Sequence, residues 1–158
     1  MPGFLEEIHD VMAKIETISA GLGYPILRSN YQIKDLGVPH NIPKLPMGKC
    51  AVYLFFYHGA ALKIGKANEK SKARYSYQHY GCQARSTLAK SILADDCFSS
   101  ENLDKTNVSD WIKTHTHRVD IILDSTCGDA AVELIEAIMH YHFRPKYEGA
   151  LHRKTPVS

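Results

Sequence analysis

No stretch of this 158-residue chain approaches the roughly 20 consecutive apolar residues that span a bilayer, so no transmembrane helix is expected. The N-terminus, MPGFLEEIHD, has acidic residues where a secretory leader has basic ones, and no apolar h-region follows. A cytoplasmic protein is therefore expected. Cysteine is sparse: Cys50, Cys82, Cys97 and Cys127 are spread along the chain, and none belongs to a C-x-x-C pair. That speaks against a zinc ribbon. A chain of this length also folds without disulfide staples, so the thiols are expected to be reduced. Internal repeats and low-complexity segments are lacking too, which leaves one domain with a real core.

Net charge is low in total but not in place. The chain carries +2, yet residues 49 to 90 hold Lys49, Lys63, Lys66, Lys70, Lys72, Arg74, Arg85 and Lys90 against Glu69 alone. That local +7 leaves −5 for the remainder, and it attracts phosphate far better than the total suggests. The basic stretch opens with CAVYLFFYHGAALKIG. Val52 to Tyr57 are β-formers, His58-Gly59-Ala60 makes a turn, and Ala61 to Gly65 returns as a second strand. Residues 68 to 80 suit a helix.

Ahead of this, residues 3 to 20 form an amphipathic helix. Phe4, Ile8, Val11, Ile15 and Ile18 recur at steps of four and three, Leu5 and Met12 widen the stripe, and Gly21 and Gly23 end it. Such a helix packs on its own core in preference to a second copy. Pro25, Pro39, Pro43 and Pro46 mark residues 24 to 48 as an irregular connector. Further on, Ser86 or Thr87 caps a helix through Leu93, residues 99 to 106 are a polar loop, and Asn107 or Ser109 caps a short helix around Trp111. Residues 119 to 123, VDIIL, make a third strand. A last helix runs from about Asp129 to His142 and stops before Pro145. The expected fold is α+β: a small antiparallel sheet of about three strands flanked by helices. Residues 1–48 would hold the helical extension and connector, 49–149 the domain proper, and 150–158 a tail.

Hydrolysis of a phosphodiester requires activation of water, stabilisation of charge on the phosphorus oxygens, and help for the leaving oxygen. A divalent ion held by one carboxylate supplies the last two. Tyr53 and Lys63 lie on the paired strands of the hairpin, and Arg74 follows on the next helix. Glu136 lies in AAVELIEAIMHYH, where Glu133, Glu136, Ala137 and His140 share one face. Leu134, Ile135 and Ile138 fill the apolar side, which sets Glu136 at its edge or beneath a cleft.

At these residues the chain resembles the GIY-YIG nuclease superfamily. Its first motif stands here as Ala51-Val52-Tyr53 and its second as Lys63-Ile64-Gly65, followed by Lys66-Ala67-Asn68. Arg74 in RYSYQH resembles the family's helix arginine, and Glu136, nine residues before Pro145, its helix glutamate. The resemblance covers roughly residues 49 to 149 and rests on the order of short motifs with agreeing secondary structure. It implies a metal-dependent endonuclease acting on DNA, with Mg²⁺ or Mn²⁺ on Glu136 as the one protein ligand. Tyr53 would orient or deprotonate the attacking water, and Arg74 would stabilise the phosphorane. Lys63 replaces the family's second tyrosine and would act as a base or hold phosphate. Glu148 stands where the family has Asn, a departure beside the metal-binding position.

His79 is a candidate phosphate contact or general acid. Lys66, Lys70, Lys72, Arg85 and Lys90 are candidate backbone contacts, and Tyr77, among Tyr75 and Tyr80, a candidate base platform. His115 and His117 lack a third ligand, and His140 and His142 point apart on a helix, so neither pair makes a zinc site; His140 can support Glu136. Trp111 reads as a packing anchor. The resemblance also implies that a member this small borrows specificity from a homodimer or a protein partner. Two alternatives stand beside the nuclease: a nuclease-like module that binds nucleic acid without turnover, favoured by Lys63 and Glu148, and an interaction domain using the N-terminal helix.

Overall fold

The computed structural model describes residues 3–147; Glu148 and the 150–158 tail lie outside the described residues. The amphipathic stripe forms helix α1 (Phe4–Gly21), which buries Ile8, Val11, Met12 and Ile15. Phe4 stacks on Phe56 with ring centroids 4.2 Å apart. Ile18, the last member of the expected stripe, is instead 44% exposed. Ser19 is buried in its place and accepts a 2.9 Å hydrogen bond from the Ile26 amide, which turns the chain back toward the sheet.

The connector holds a strand that its prolines conceal. β1 (Tyr31–Gly37) lies between Pro25 and Pro39 and pairs with one neighbour only. As an edge strand it buries Tyr31, half-buries Ile33 and Leu36, and leaves Gln32, Lys34 and Asp35 exposed, so its apolar signal is weak. The hairpin is as expected: β2 (Lys49–Tyr57) turns through His58 and Gly59, at φ 49° and 78°, into β3 (Ala60–Ala67). Two successive positive φ values give the turn whose twist suits a two-residue hairpin.

The expected helix over 68–80 is broken. Only α2 (Lys72–Tyr75) is α-helical, between short 3-10 turns at Glu69–Ser71 and Gln78–Tyr80. The Tyr75 carbonyl accepts from Arg118 Nη2 at 2.8 Å instead of continuing the helical ladder. α3 (Leu88–Leu93) is capped by Thr87, whose hydroxyl accepts from the Lys90 amide. A 3-10 turn at Asp96–Glu101 runs into the start of the expected 99–106 polar loop. α4 (Val108–His115) carries Trp111, β4 (His117–Asp124) is the last strand, and α5 (Asp129–Phe143) closes the order.

The strands form one antiparallel sheet in the order β1-β4-β2-β3, four strands where three were expected. It lies between two helical layers. Val52, Leu54 and Phe56 face α1 and α5, while Tyr53 and Phe55 face Leu88, Ile92, Trp111 and Ile112. Burial on both faces explains why β2 is an unbroken apolar run and not an alternating one. Among the described residues no helix is long and apolar enough to cross a membrane. All four cysteines are free.

The α3–α4 side of the sheet contains a buried ion pair. Arg118 and Asp120 are two apart on β4 and so share a face, and neither is exposed to solvent. Arg118 Nε donates to Asp120 Oδ1 at 2.8 Å and Nη1 to the Tyr80 hydroxyl at 3.0 Å. Tyr75 Oη donates to Asp120 Oδ2 at 2.6 Å. The guanidinium also lies 4.8–5.4 Å from the ring centroids of Tyr53, Phe55 and Tyr75. Removing one member leaves the other charged and dry, which costs about 3–5 kcal/mol. Arg118→Met is therefore expected to lower the unfolding free energy by about that amount in a urea titration. A loss below about 1 kcal/mol would show that the pair contributes little.

Candidate functional site

The edge of β3 borders a cavity of about 500 Å³ between α5 and the α2 segment. The hairpin register sets its chemistry. Lys63 lies opposite Phe55 and Gly65 opposite Tyr53, so both belong to the Arg118 side of the sheet. Lys66 lies opposite Val52 and belongs to the α5 side. The cavity wraps the strand edge and collects groups from both sides: Lys63, Gly65, Lys66, Arg74, Glu136 and His140. Lys63 is buried, Arg74 is half-buried, and Glu136 keeps 20% of its side chain exposed.

Glu136 is held as a carboxylate. Burial alone would raise its pKa, but hydrogen bonds from His140 and Lys66 outweigh burial and hold it below the ordinary range. Lys66 Nζ lies 2.7 Å from Oε2 and His140 Nε2 3.5 Å from Oε1. His140 Nε2 also donates to the Ile64 carbonyl at 3.0 Å, which fixes the ring against the strand. Glu133 and Asp129 line the same cavity one and two turns earlier on the helix face.

Tyr53 lies beneath this wall and is fully buried. Its ring runs across Gly65, and a Cβ at that glycine would overlap the ring and its hydroxyl. The glycine is required by close approach, since the strand could otherwise carry any β-former. Burial pushes the Tyr53 pKa well above its ordinary value, and Arg74 and Arg118 pull it back only in part. Tyr53 keeps its proton at neutral pH. His79 is buried behind it, with Nε2 2.7 Å from Tyr53 Oη. His79 lies under the tyrosine and not in the cavity, so it reaches a ligand only through Tyr53.

The remaining sequence candidates separate. Arg85 and Lys90 line an adjoining depression that shares Ser86 with the main cavity. Lys70 and Lys72 are exposed on the short turns beyond Asn68. Tyr77 is 63% exposed and lines a different depression, with Gln78, Cys82 and Lys105. His115 stacks on Trp111, whereas His117 pairs with Asp35, so the two histidines do not converge.

Sequence reasoning missed Arg118, Asp120 and His40. The signal was present for the first two: opposite charges two apart in an apolar strand share one buried face. His40 had no such signal, because the loop carrying it is placed by the fold. Its Nδ1 donates to the Thr116 carbonyl at 3.0 Å, and its Nε2 accepts from the Tyr80 hydroxyl at 2.8 Å.

Among the described residues no three His, Cys, Asp or Glu side chains form a ready-made metal cage. Mg²⁺ does not need one, since it keeps most of its waters and takes one or two carboxylates. Glu136, ionised and facing an open cavity, fits that requirement once Lys66 moves aside. No family model matches the chain, and no curated protein or solved structure is significantly similar to it.

Two predictions follow from the Tyr53 surroundings. Gly65→Ala should cost about 1–3 kcal/mol by overpacking, whereas Gly81→Ala, where an added methyl meets nothing, should change stability by less than about 0.5 kcal/mol. Equal effects of the two on urea midpoints would refute the close-packing account. The second concerns pH. Burial, reinforced by Arg118, lowers the His40 pKa to about 4; burial, reinforced by Arg74, Lys63 and Arg118, lowers that of His79 to about 3. Below about pH 6.5 the unfolded chain takes up protons that these rings refuse. Their stabilising effect is complete above pH 6.5 and declines as pH falls, by up to about 1.4 kcal/mol per pH unit for each ring. The His40 contribution levels off below about pH 4 and that of His79 below about pH 3. Unfolding free energy measured from about pH 6 to pH 5 should fall more shallowly in His79→Gln than in the wild type; parallel slopes would contradict a buried neutral His79.

Proposed function

We propose that this protein is a divalent-metal-dependent endonuclease that hydrolyses DNA phosphodiester bonds in the cavity beside β3. The observation that carries the reading is the convergence of Lys63, Arg74 and Glu136 on one cavity whose wall, Gly65, covers Tyr53. The likeness of the motifs to the GIY-YIG pattern, in order and spacing, supports it. Lys63 and Arg74 face the phosphorus oxygens and offset charge that develops there. Tyr53, protonated, acts through a hydrogen bond and not as a base. Glu136 holds Mg²⁺ or Mn²⁺, which when bound stabilises charge at the phosphoryl and leaving oxygens. Lys66 neutralises Glu136 until a cation takes that place. Arg85 and Lys90 hold the flanking backbone, and a homodimer or protein partner supplies specificity.

A second reading, a nucleic-acid-binding module without turnover, is favoured by the 2.7 Å Lys66–Glu136 ion pair, which occupies the carboxylate that the cation requires. Supercoiled plasmid separates the two. The nuclease reading expects nicking that depends on Mg²⁺ or Mn²⁺ and falls at least about 100-fold in Glu136→Gln with the fold retained. Its binding should weaken linearly with log salt. Salt-sensitive binding with no nicking at any metal concentration would reject the nuclease and leave the module.

A further inference from the structure

The two ring nitrogens of His79 face different partners. Nδ1 lies 3.2 Å from the backbone nitrogen of Leu88, and Nε2 lies 2.7 Å from Tyr53 Oη. An amide nitrogen only donates, so Nδ1 presents its lone pair. A neutral imidazole then carries its proton on Nε2, aimed at the Tyr53 oxygen. A second proton on Nδ1 would meet the Leu88 N–H head on, and the surrounding burial and cations oppose it as well.

Tyr53 Oη therefore accepts from His79 and must place its own proton elsewhere. Arg74, which also acts directly on this oxygen, has donors only. The hydroxyl is pressed against Gly65, which lines the cavity and has no side chain to close that side. Glu136, which lines the cavity, is a carboxylate whose charge acts on it.

We infer that His79 is a positioning residue: held by the Leu88 amide as an Nε2–H donor, it turns the Tyr53 hydroxyl proton toward Gly65 and the cavity beyond that wall, so that a phosphate oxygen admitted past Gly65 meets a donor. This rests on the nuclease reading for the identity of the anion, but the hydrogen-bond chain does not. Tyr53 and His79 form a fixed donor pair and take no proton from water. The backbone amide of α3 thus decides the chemistry of a side chain on β2.

The test is nitrogen NMR on the ¹⁵N-labelled full chain, with the His79 resonances assigned by their loss in His79→Gln. The expected result is the Nε2–H tautomer, unchanged from about pH 5 to pH 8. An Nδ1–H tautomer, or titration within that range, overturns the inference. In ¹³Cζ-tyrosine-labelled protein, inorganic phosphate should shift the resonance assigned to Tyr53 through Tyr53→Phe. A Tyr53 resonance that ignores phosphate while other cavity signals respond overturns the direction of the proton. In metal-dependent nicking, His79→Gln, which retains a donor amide, should lose less than about tenfold; a loss of about 10²–10⁴-fold would mark His79 as a true acid or base and overturn the inference. Absence of nicking with both NMR signatures intact would instead sink the nuclease reading alone.

Discussion

Arg118 is a guanidinium wholly shielded from solvent, and much of the molecule is arranged around that fact. A buried cation is tolerated only when every donor and the charge itself are answered. Asp120 answers the charge, the Tyr80 hydroxyl and the Tyr75 carbonyl take two further donors, and three aromatic rings lie within cation–π reach. The consequences spread outward. Taking the Tyr75 carbonyl ends α2 at Tyr75, and taking Tyr80 brings in His40 and so the loop that follows β1. Tyr53 is held between this cluster and Gly65.

The candidate site is assembled where the two helical layers meet around a strand edge. Neither layer contains it alone. Arg74 comes from the Arg118 side and Glu136 from the α1–α5 side, and β3 presents Lys63 to one and Lys66 to the other. Alternation along a strand normally sends neighbouring side chains apart. At an edge both directions open on the same solvent, so residues three apart can serve one cavity. This is how a +7 segment comes to face three carboxylates of α5, Asp129, Glu133 and Glu136.

Much of this was legible in the residues. The hairpin, the last strand, the amphipathic first helix and the Glu136 helix all show in local pattern, because each buries a periodic or continuous apolar face. β1 did not, since an edge strand with partial burial leaves prolines as the loudest signal. The 68–80 helix was misread because its break is imposed by Arg118, 43 residues further on than Tyr75. Tyr53, Lys63, Arg74 and Glu136 were singled out as candidates by motif. The placement of His79 behind Tyr53 was not, because which ring nitrogen meets which partner depends on the Leu88 amide, and no spacing in the sequence encodes that. Tyr77 was grouped with the cationic stretch by proximity in the chain, and the broken helix turns it to another surface.

The outer rim of β3 bears a further consequence. An exposed strand edge offers a template to which a stray chain can add. Here the Ala61 and Leu62 carbonyls accept from the amides of Lys146 and Tyr147, and the Ile64 carbonyl accepts from His140. Tyr147 is anchored in turn by its hydroxyl to Asp95. The groups that shape the cavity therefore also deny the sheet a partner for unwanted growth, and a change that loosens α5 from β3 would expose the chain to aggregation as well as dismantle the groove.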